Sequence, residues 1–405
     1  MPMLFLKAGV ANLNGGRLEI PAQSALPLIE KMGRNNRIAY FDPVKEAAAL
    51  VELTGGPGRK GTGFPVSPVK TYRMSAEIIE TLFCRHPAFT FEKTFLNRLV
   101  RLNDTRELPA IGLYFSWDGD SLGLTYTDPL NLLYERTVFS RRDLAYLADE
   151  IIGTLNDINN ELRTNPDPDY SRIFEPLHRA ASALPLPFTS DISFRKIDAY
   201  YEPDAGGNYP FFPLEILFPE CFIRNLIPGE RRSFLKKNRS FTLVYSQELT
   251  YAMKETAELI DYLRASYKLE SYPENTFREY QDELAAANYF HYNGHGEIRD
   301  GRGCLLFDGR WSDRLPHVKN MRLAVLNCCQ TGFTPQGMVE NLLASGAHYV
   351  IASPFDIPDN TAYSFLKFYR CFSPENPELS YIISSLIDPK LSSFFRLFTN
   401  YIRKV

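Results

Sequence analysis

Two short apolar runs in this sequence end next to residues that can do covalent chemistry. Tyr289-Phe290-His291-Tyr292 leads through Asn293-Gly294 to His295-Gly296, and Leu323-Ala324-Val325-Leu326 leads through Asn327-Cys328 to Cys329-Gln330-Thr331-Gly332. A thiol at its ordinary pKa of about 8.5 is only a few per cent thiolate at neutral pH, and a neighbouring imidazole overcomes this by lowering that pKa or taking the proton during attack. His295 paired with Cys329 would therefore suit nucleophilic cleavage of an acyl bond, the imidazole later returning its proton to the leaving group. Gly296 lets a backbone N–H approach a substrate closely, and that N–H with the one of Cys329 would form an oxyanion hole.

Other chemistries fit less well. Cys328 is the alternative nucleophile, but side chains alternate along an extended run, so Cys328 faces the interior if Cys329 faces a cleft. His291 and His295 would share a face only on a helix, and here the first lies inside a strand, so no zinc site is expected. The Gly-rich stretch Thr54-Gly55-Gly56-Pro57-Gly58-Arg59-Lys60-Gly61-Thr62-Gly63 lacks the Gly-Lys-Ser/Thr order of a phosphate loop and reads as a flexible loop. The expected chemistry needs no metal or organic cofactor.

The elements around these residues alternate between strand and helix from about residue 240, the pattern of a mostly parallel sheet with helices on both faces. Phe241–Tyr245 predicts a buried strand, followed by a helix with Met253, Ala257, Ile260 and Leu263 at helical spacing. Thr276 with Glu279 forms a capping-box signature for a helix carrying Phe277, Tyr280 and Leu284. A helix with Met338, Leu342 and Leu343 follows the second run and leads to the strand Tyr349–Ala352. Asp359 or Asn360 is placed to cap a last helix with Ala362, Phe365, Leu366 and Tyr369. In such sheets ligands bind where loops converge at the carboxyl ends of the strands, which is where His295 and Cys329 fall.

Upstream, Ile111–Trp117 and Ser121–Thr127 predict a hairpin around an Asp-Gly turn, and a helix is expected near 141–162. Asn165-Pro166-Asp167-Pro168-Asp169 reads as a break. The 405 residues exceed one ordinary core, so two domains are expected: an N-terminal α+β extension over 1–165 and an α/β domain over 166–405 with its core at about 170–385.

Composition excludes several classes. With 48 acidic and 45 basic residues the formal charge is −3, so no long-range field draws the chain to nucleic acid or an anionic membrane. The basic run Arg231–Arg239 reads as a solvated linker. No 18-residue apolar run and no signal-peptide pattern is present, so a cytoplasmic location is expected, with no membrane partner. Six cysteines without a CxxC pair point to reduced thiols.

At the residues named above the sequence resembles the CHAT family of caspase-like peptidases, within the group that includes caspases, metacaspases, separase and gingipains. The family pattern is a strand ending in His-Gly, a strand ending in an apolar run with Cys, a variable residue and Ser/Thr-Gly, and then a Gly-Ala-x-x-Val-Ile-Ala-Ser strand. Here these are Phe290–Gly296, Leu323–Gly332 and Ser345-Gly346-Ala347-His348-Tyr349-Val350-Ile351-Ala352-Ser353-Pro354. Tyr200-Tyr201-Glu202-Pro203-Asp204-Ala205-Gly206 and Phe211–Leu217 extend the likeness upstream.

The resemblance implies a caspase-like fold and a cysteine endopeptidase acting through Cys329 and His295 on a protein substrate. It also implies a role in bacterial defence or cell death, where a pore-forming or other effector would be the substrate. Many members carry helical repeats ahead of the peptidase domain. None is present here, so an activating partner or ligand would act through residues 1–165. In the family a substrate-pocket residue lies two positions before the nucleophile, acidic for cleavage after Arg or Lys and Gln in caspases. Asn327 stands there and argues against strict basic specificity, while Asp356 or Asp359 on the next loop could supply charge. A catalytically silent scaffold on the same fold is the alternative reading.

Overall fold

The computed structural model describes strand segments between residues 3 and 68 and then residues 110–401, with gaps of which the longest are 180–194, 230–239, 360–367, 370–376 and 388–393. The chain divides into two compact units: Met1–Glu107 with Lys367–Ile387, and Leu108–Leu366 with Asp388–Val405. In the first unit the described strands are β1 (Met3–Leu6), β2 (Gly9–Leu13), β3 (Gly16–Ile20), β4 (Ser24–Met32), β5 (Asn35–Asp42), β6 (Ala47–Thr54) and β7 (Val66–Pro68). They form one antiparallel sheet in the order β3-β2-β6-β5-β4-β1-β7. The Gly-rich loop expected at 54–63 lies, beyond Thr54, outside the described residues, as does the run Arg231–Arg239.

The second unit is an α/β fold on a large mixed sheet. Its strands are β8 (Ile111–Asp118), β9 (Ser121–Asp128), β10 (Leu133–Phe139), β11 (Lys196–Tyr201), β12 (Phe222–Pro228), β13 (Ser240–Tyr245), β14 (Lys268–Pro273), β15 (Tyr289–Asn293), β19 (Leu323–Asn327), β20 (Tyr349–Ala352) and β21 (Arg396–Tyr401). The spatial order is β10-β9-β8-β11-β12-β21-β20-β19-β15-β13-β14. Two parallel blocks meet where β20 and β21 run antiparallel. In the block β14-β13-β15-β19-β20 every pair is parallel. In chain order these strands stand 2-1-3-4-5, which puts a topological switch point between β13 and β15.

The helices are α1 (Arg141–Thr164), α2 (Thr250–Leu263), α3 (Phe277–Ala286), α4 (Met338–Ser345) and, in the first unit, α5 (Pro377–Ile387). Among the described residues no helix is long and apolar enough to cross a membrane. Phe290, Tyr292, Ala324, Leu326, Val350 and Ala352 form one core with Tyr280 and Leu284 of α3 and Met338, Leu342 and Leu343 of α4. The alternate residues Tyr289, His291, Leu323, Val325 and Ile351 are buried as well, so both faces of these strands are covered. Burial of both faces is why the strands read as continuous apolar runs.

Several expectations are corrected. The boundary expected near 165 falls inside the second unit, because β8 pairs with β11 and carries β9 and β10 into the same sheet. A buried ion pair crosses that boundary: Arg195 Nη2 donates to Asp128 Oδ1 at 3.0 Å. Helix α2 forms as expected but turns a different face inward, burying Ala252, Glu255, Thr256, Leu259 and Leu263 and leaving Met253 exposed. At α3 the capping box is not made: the Thr276 hydroxyl donates to the Pro273 carbonyl and Asp308 accepts from the Phe277 N–H. Asp359 accepts from the Tyr251 N–H at 2.9 Å and so caps α2; of the last helix expected after it, Asn360, Ala362, Phe365 and Leu366 lie outside the described residues, and Tyr369 is helical.

Between His295 and β19 the chain makes a small sheet of β16 (Gly296–Arg299), β17 (Arg302–Phe307) and β18 (Arg310–Ser312). Its two turns are Asp300-Gly301 and Asp308-Gly309, all four residues with positive φ, the geometry in which Asp-Gly closes a tight hairpin.

Candidate active site

The pairing of β15 with β19 sets Asn293 opposite Asn327. His295 and Cys329 each follow two residues later, so both leave the same carboxyl edge of adjacent parallel strands in matched positions. Gly296 closes the remaining gap: any side chain there would run into the Cys329 carbonyl, the Cys328 sulfur and the Thr331 methyl. The backbone after His295 is held from beneath, since the Tyr292 hydroxyl sits 3.0 Å from the His295 carbonyl and 2.9 Å from both the Leu306 carbonyl and Glu274 Oε2.

Cys328 points into the core among apolar side chains, and burial drives its thiol far above the ordinary range. Cys329 is half-buried on the opposite side. The two thus divide as side-chain alternation requires. The Cys329 sulfur accepts a hydrogen bond from the Ile357 N–H at 3.3 Å. Burial, reinforced by the Asp356 carboxylate, pushes its thiol up to about 12, so it is protonated in this state at neutral pH. Gln330, directly after it, holds a positive φ of 57°, a conformation uncommon for a residue other than glycine.

The His295 imidazole is one-third exposed, with Nε2 3.7 Å from Glu248 Oε2 and no hydrogen-bond partner on that nitrogen. Sulfur and Nε2 are therefore not hydrogen-bonded to each other here. Catalytic hydrogen bonds are often long before substrate binds. His291 is fully buried, and burial lowers its pKa to about 3, which leaves it neutral inside its strand.

The loop after β20 lies against the Cys329 loop. Gln330 N–H donates to the Phe355 carbonyl at 2.9 Å and Gly332 N–H to the Ser353 carbonyl at 2.7 Å. Asp356 is buried in this contact: Gln330 Nε2 donates to its Oδ1 at 2.9 Å, Arg163 Nε of α1 stands 2.6 Å from its Oδ2, and its N–H donates to Asn159 Oδ1. Asp356 is thus engaged in holding the loop. Asn327 is buried, with its Nδ2 donating to Glu255 Oε2 at 2.9 Å.

Glu255 is the group that sequence reasoning missed. Fully buried on α2, it accepts from Asn293 Nδ2 at 2.6 Å as well as from Asn327, joining the two asparagines that precede His295 and Cys329. Burial raises its pKa well above the usual carboxylate range, although both asparagine hydrogen bonds oppose this, and the nearby Asp359 carboxylate adds to the rise. A glutamate within a charged helical stretch carries no local mark of burial; only the fold brings it under the two strand ends. Among the described residues no group of three or more His, Cys, Asp and Glu side chains is arranged to hold a metal ion. The chain matches no protein-family model and no curated protein.

Proposed function

We propose that the second unit is a caspase-like cysteine endopeptidase of the CHAT kind, with Cys329 as nucleophile and His295 as its base. The observation that carries this reading is the matched departure of His295 and Cys329 from neighbouring parallel strands, with Gly296 packed on the Cys329 carbonyl. The Cys329 sulfur forms a bond to the scissile carbonyl carbon as its proton passes to His295, and the C–N bond breaks as His295 protonates the leaving amine. Water, losing a proton to His295, then displaces the sulfur and releases the acyl group as a carboxylic acid. The N–H groups of Gly296 and Cys329 are the candidate donors to the oxyanion, where losing one donor typically costs about 10²- to 10³-fold in rate.

With the thiol raised to about 12 by burial and the Asp356 carboxylate, attack requires His295 to take the proton in the same step; the Ile357 N–H, which by itself lowers that pKa, lies on the sulfur that must attack. That same contact favours the second reading, a catalytically silent scaffold. Lysate of the source cell incubated with the wild type and with Cys329→Ala, followed by mass-spectrometric mapping of new protein N-termini, separates the two. Termini made only by the wild type support the peptidase and identify its protein substrate; identical sets in both samples support the scaffold.

A further inference from the structure

The parallel ladder between β15 and β19 ends at the pair Asn293 and Asn327, so the chain leaves the sheet before either His295 or Cys329 is reached. What lies at that last rung therefore fixes how the two loops start. Both asparagines are buried and give their side-chain N–H groups to one atom: Glu255 Oε2 accepts from Asn293 Nδ2 at 2.6 Å and from Asn327 Nδ2 at 2.9 Å. Asn327 Nδ2 also reaches Asn293 Oδ1 at 3.4 Å, and Asn293 Nδ2 reaches the Ala252 carbonyl, one turn before Glu255 on α2, at 3.3 Å. The Asn293 carbonyl accepts from the Ser246 N–H at 2.9 Å, which ties the end of β13 to the same point. Helix α2 is itself anchored through buried Ala252, Leu259 and Leu263, so the shared oxygen is carried on a rigid element.

Three buried polar side chains are a costly way to fill this space. Replacing both partners of a buried hydrogen bond by apolar groups of the same shape is often neutral or stabilising, whereas a hydrogen-bonded triangle holds one distance and one direction. Burial holds the Glu255 carboxyl towards its neutral form, in which one oxygen, as a carbonyl, still accepts both bonds. We propose, resting on the peptidase reading, that Glu255 is a positioning residue: its carboxyl oxygen clamps Asn293 to Asn327 and so sets the spacing of His295 and Cys329 two residues further on. It acts through the two asparagines and touches no reacting atom. A misplacement of about 1 Å between reacting groups can cost on the order of 10²-fold in rate.

The test uses the full chain and acyloxymethyl ketones of acetyl-Ala-Ala-Xaa, with Ala, Leu, Asp or Arg as the last residue. Their reaction with Cys329 is followed by mass spectrometry of digested protein, and the fastest is carried forward. The maximal inactivation rate, kinact, and the half-saturating concentration, KI, are measured for the wild type, Glu255→Met, Glu255→Asp and Glu255→Gln, each established as folded by circular dichroism. Methionine removes the acceptor; aspartate, which carries the test should the methionine variant not fold, withdraws it by one methylene; glutamine keeps it. The expected result is a fall in kinact on the order of 10²-fold in Glu255→Met and Glu255→Asp, with KI unchanged, and the wild-type rate in Glu255→Gln. Equal kinact in the wild type and these folded variants, a loss carried by KI, or the same loss in Glu255→Gln would overturn the positioning role and leave the peptidase reading standing. No adduct on Cys329 of the wild type with any of these probes would overturn the peptidase reading, and the positioning role with it.

Discussion

The two parallel blocks of the large sheet treat buried charge in opposite ways. In the block β8, β11, β12 and β21, each buried charge faces an opposite one: Asp198 takes both Nε and Nη2 of Arg224 at 2.7 and 2.6 Å, and Arg396 stands between Glu215, Asn225 and Tyr201. At the carboxyl edge of β13, β15 and β19, Glu255 Oε1, Asp359 Oδ1 and His295 Nε2 have no hydrogen-bond partner. Paired charges specify how strands and loops are joined; of the open ones, His295, one-third exposed, is within a substrate's reach.

The largest effect is expected from breaking the paired block. Arg396→Met leaves Glu215 buried without its cation, and denaturant unfolding should register a loss of about 3 to 5 kcal/mol. Arg396 Nη1 also reaches the Gly332 carbonyl at 3.5 Å, so the same variant should loosen the Cys329 loop. An unchanged unfolding midpoint would mean that the paired block contributes little to stability.

The next effect concerns Cys329. A thiol raised to about 12 is a smaller fraction thiolate at pH 8 than an ordinary cysteine by a factor on the order of a thousand. Iodoacetamide should therefore alkylate Cys329 in the resting protein far more slowly than an unperturbed cysteine of a peptide at that pH. Rapid labelling would show that the burial that holds the thiol up does not persist in solution.

The smallest effect sharpens the open side of the comparison. Glu255 has a folded pKa raised above its unfolded value, so the unfolded state loses its proton first as pH rises. The stability of the wild type should consequently fall above about pH 4.3, by up to about 1.4 kcal/mol per pH unit, until the folded pKa is reached. Glu255→Gln, which keeps an acceptor for the asparagines and cannot ionise, should lack this slope and be the more stable protein at pH 7. Parallel pH–stability curves for the two would contradict the assigned burial of Glu255.

Much of this architecture was legible in the sequence, and what was not follows a pattern. The runs at 241–245, 289–292, 323–326 and 349–352 announced strands because both faces are covered and apolar residues fill all positions but Thr242 and His291. His295 and Cys329 were legible because a parallel sheet fixes where its loops fall. Cys328 and Cys329 separated correctly on alternation alone. Long-range polar contacts left no such trace: Arg163 and Asn159 reach Asp356 across nearly 200 positions, and Glu255 meets Asn327 across 72. The domain boundary was misplaced because the Pro-Asp break at 165 marks the end of α1 and not the end of the sheet. The Asp300-Gly301 and Asp308-Gly309 turns were readable by the same rule that found the hairpin at 111–127, and would have revealed the sheet that follows His295.

The dyad itself is tested most directly by a peptidyl acyloxymethyl ketone, which forms a stable thioether only with a thiol that an imidazole activates. Mass spectrometry of digested protein should place the adduct on Cys329 in the wild type, with none on Cys328, and show it lost in His295→Ala. Equal labelling of wild type and His295→Ala, or no adduct on Cys329 at all, would contradict the assignment.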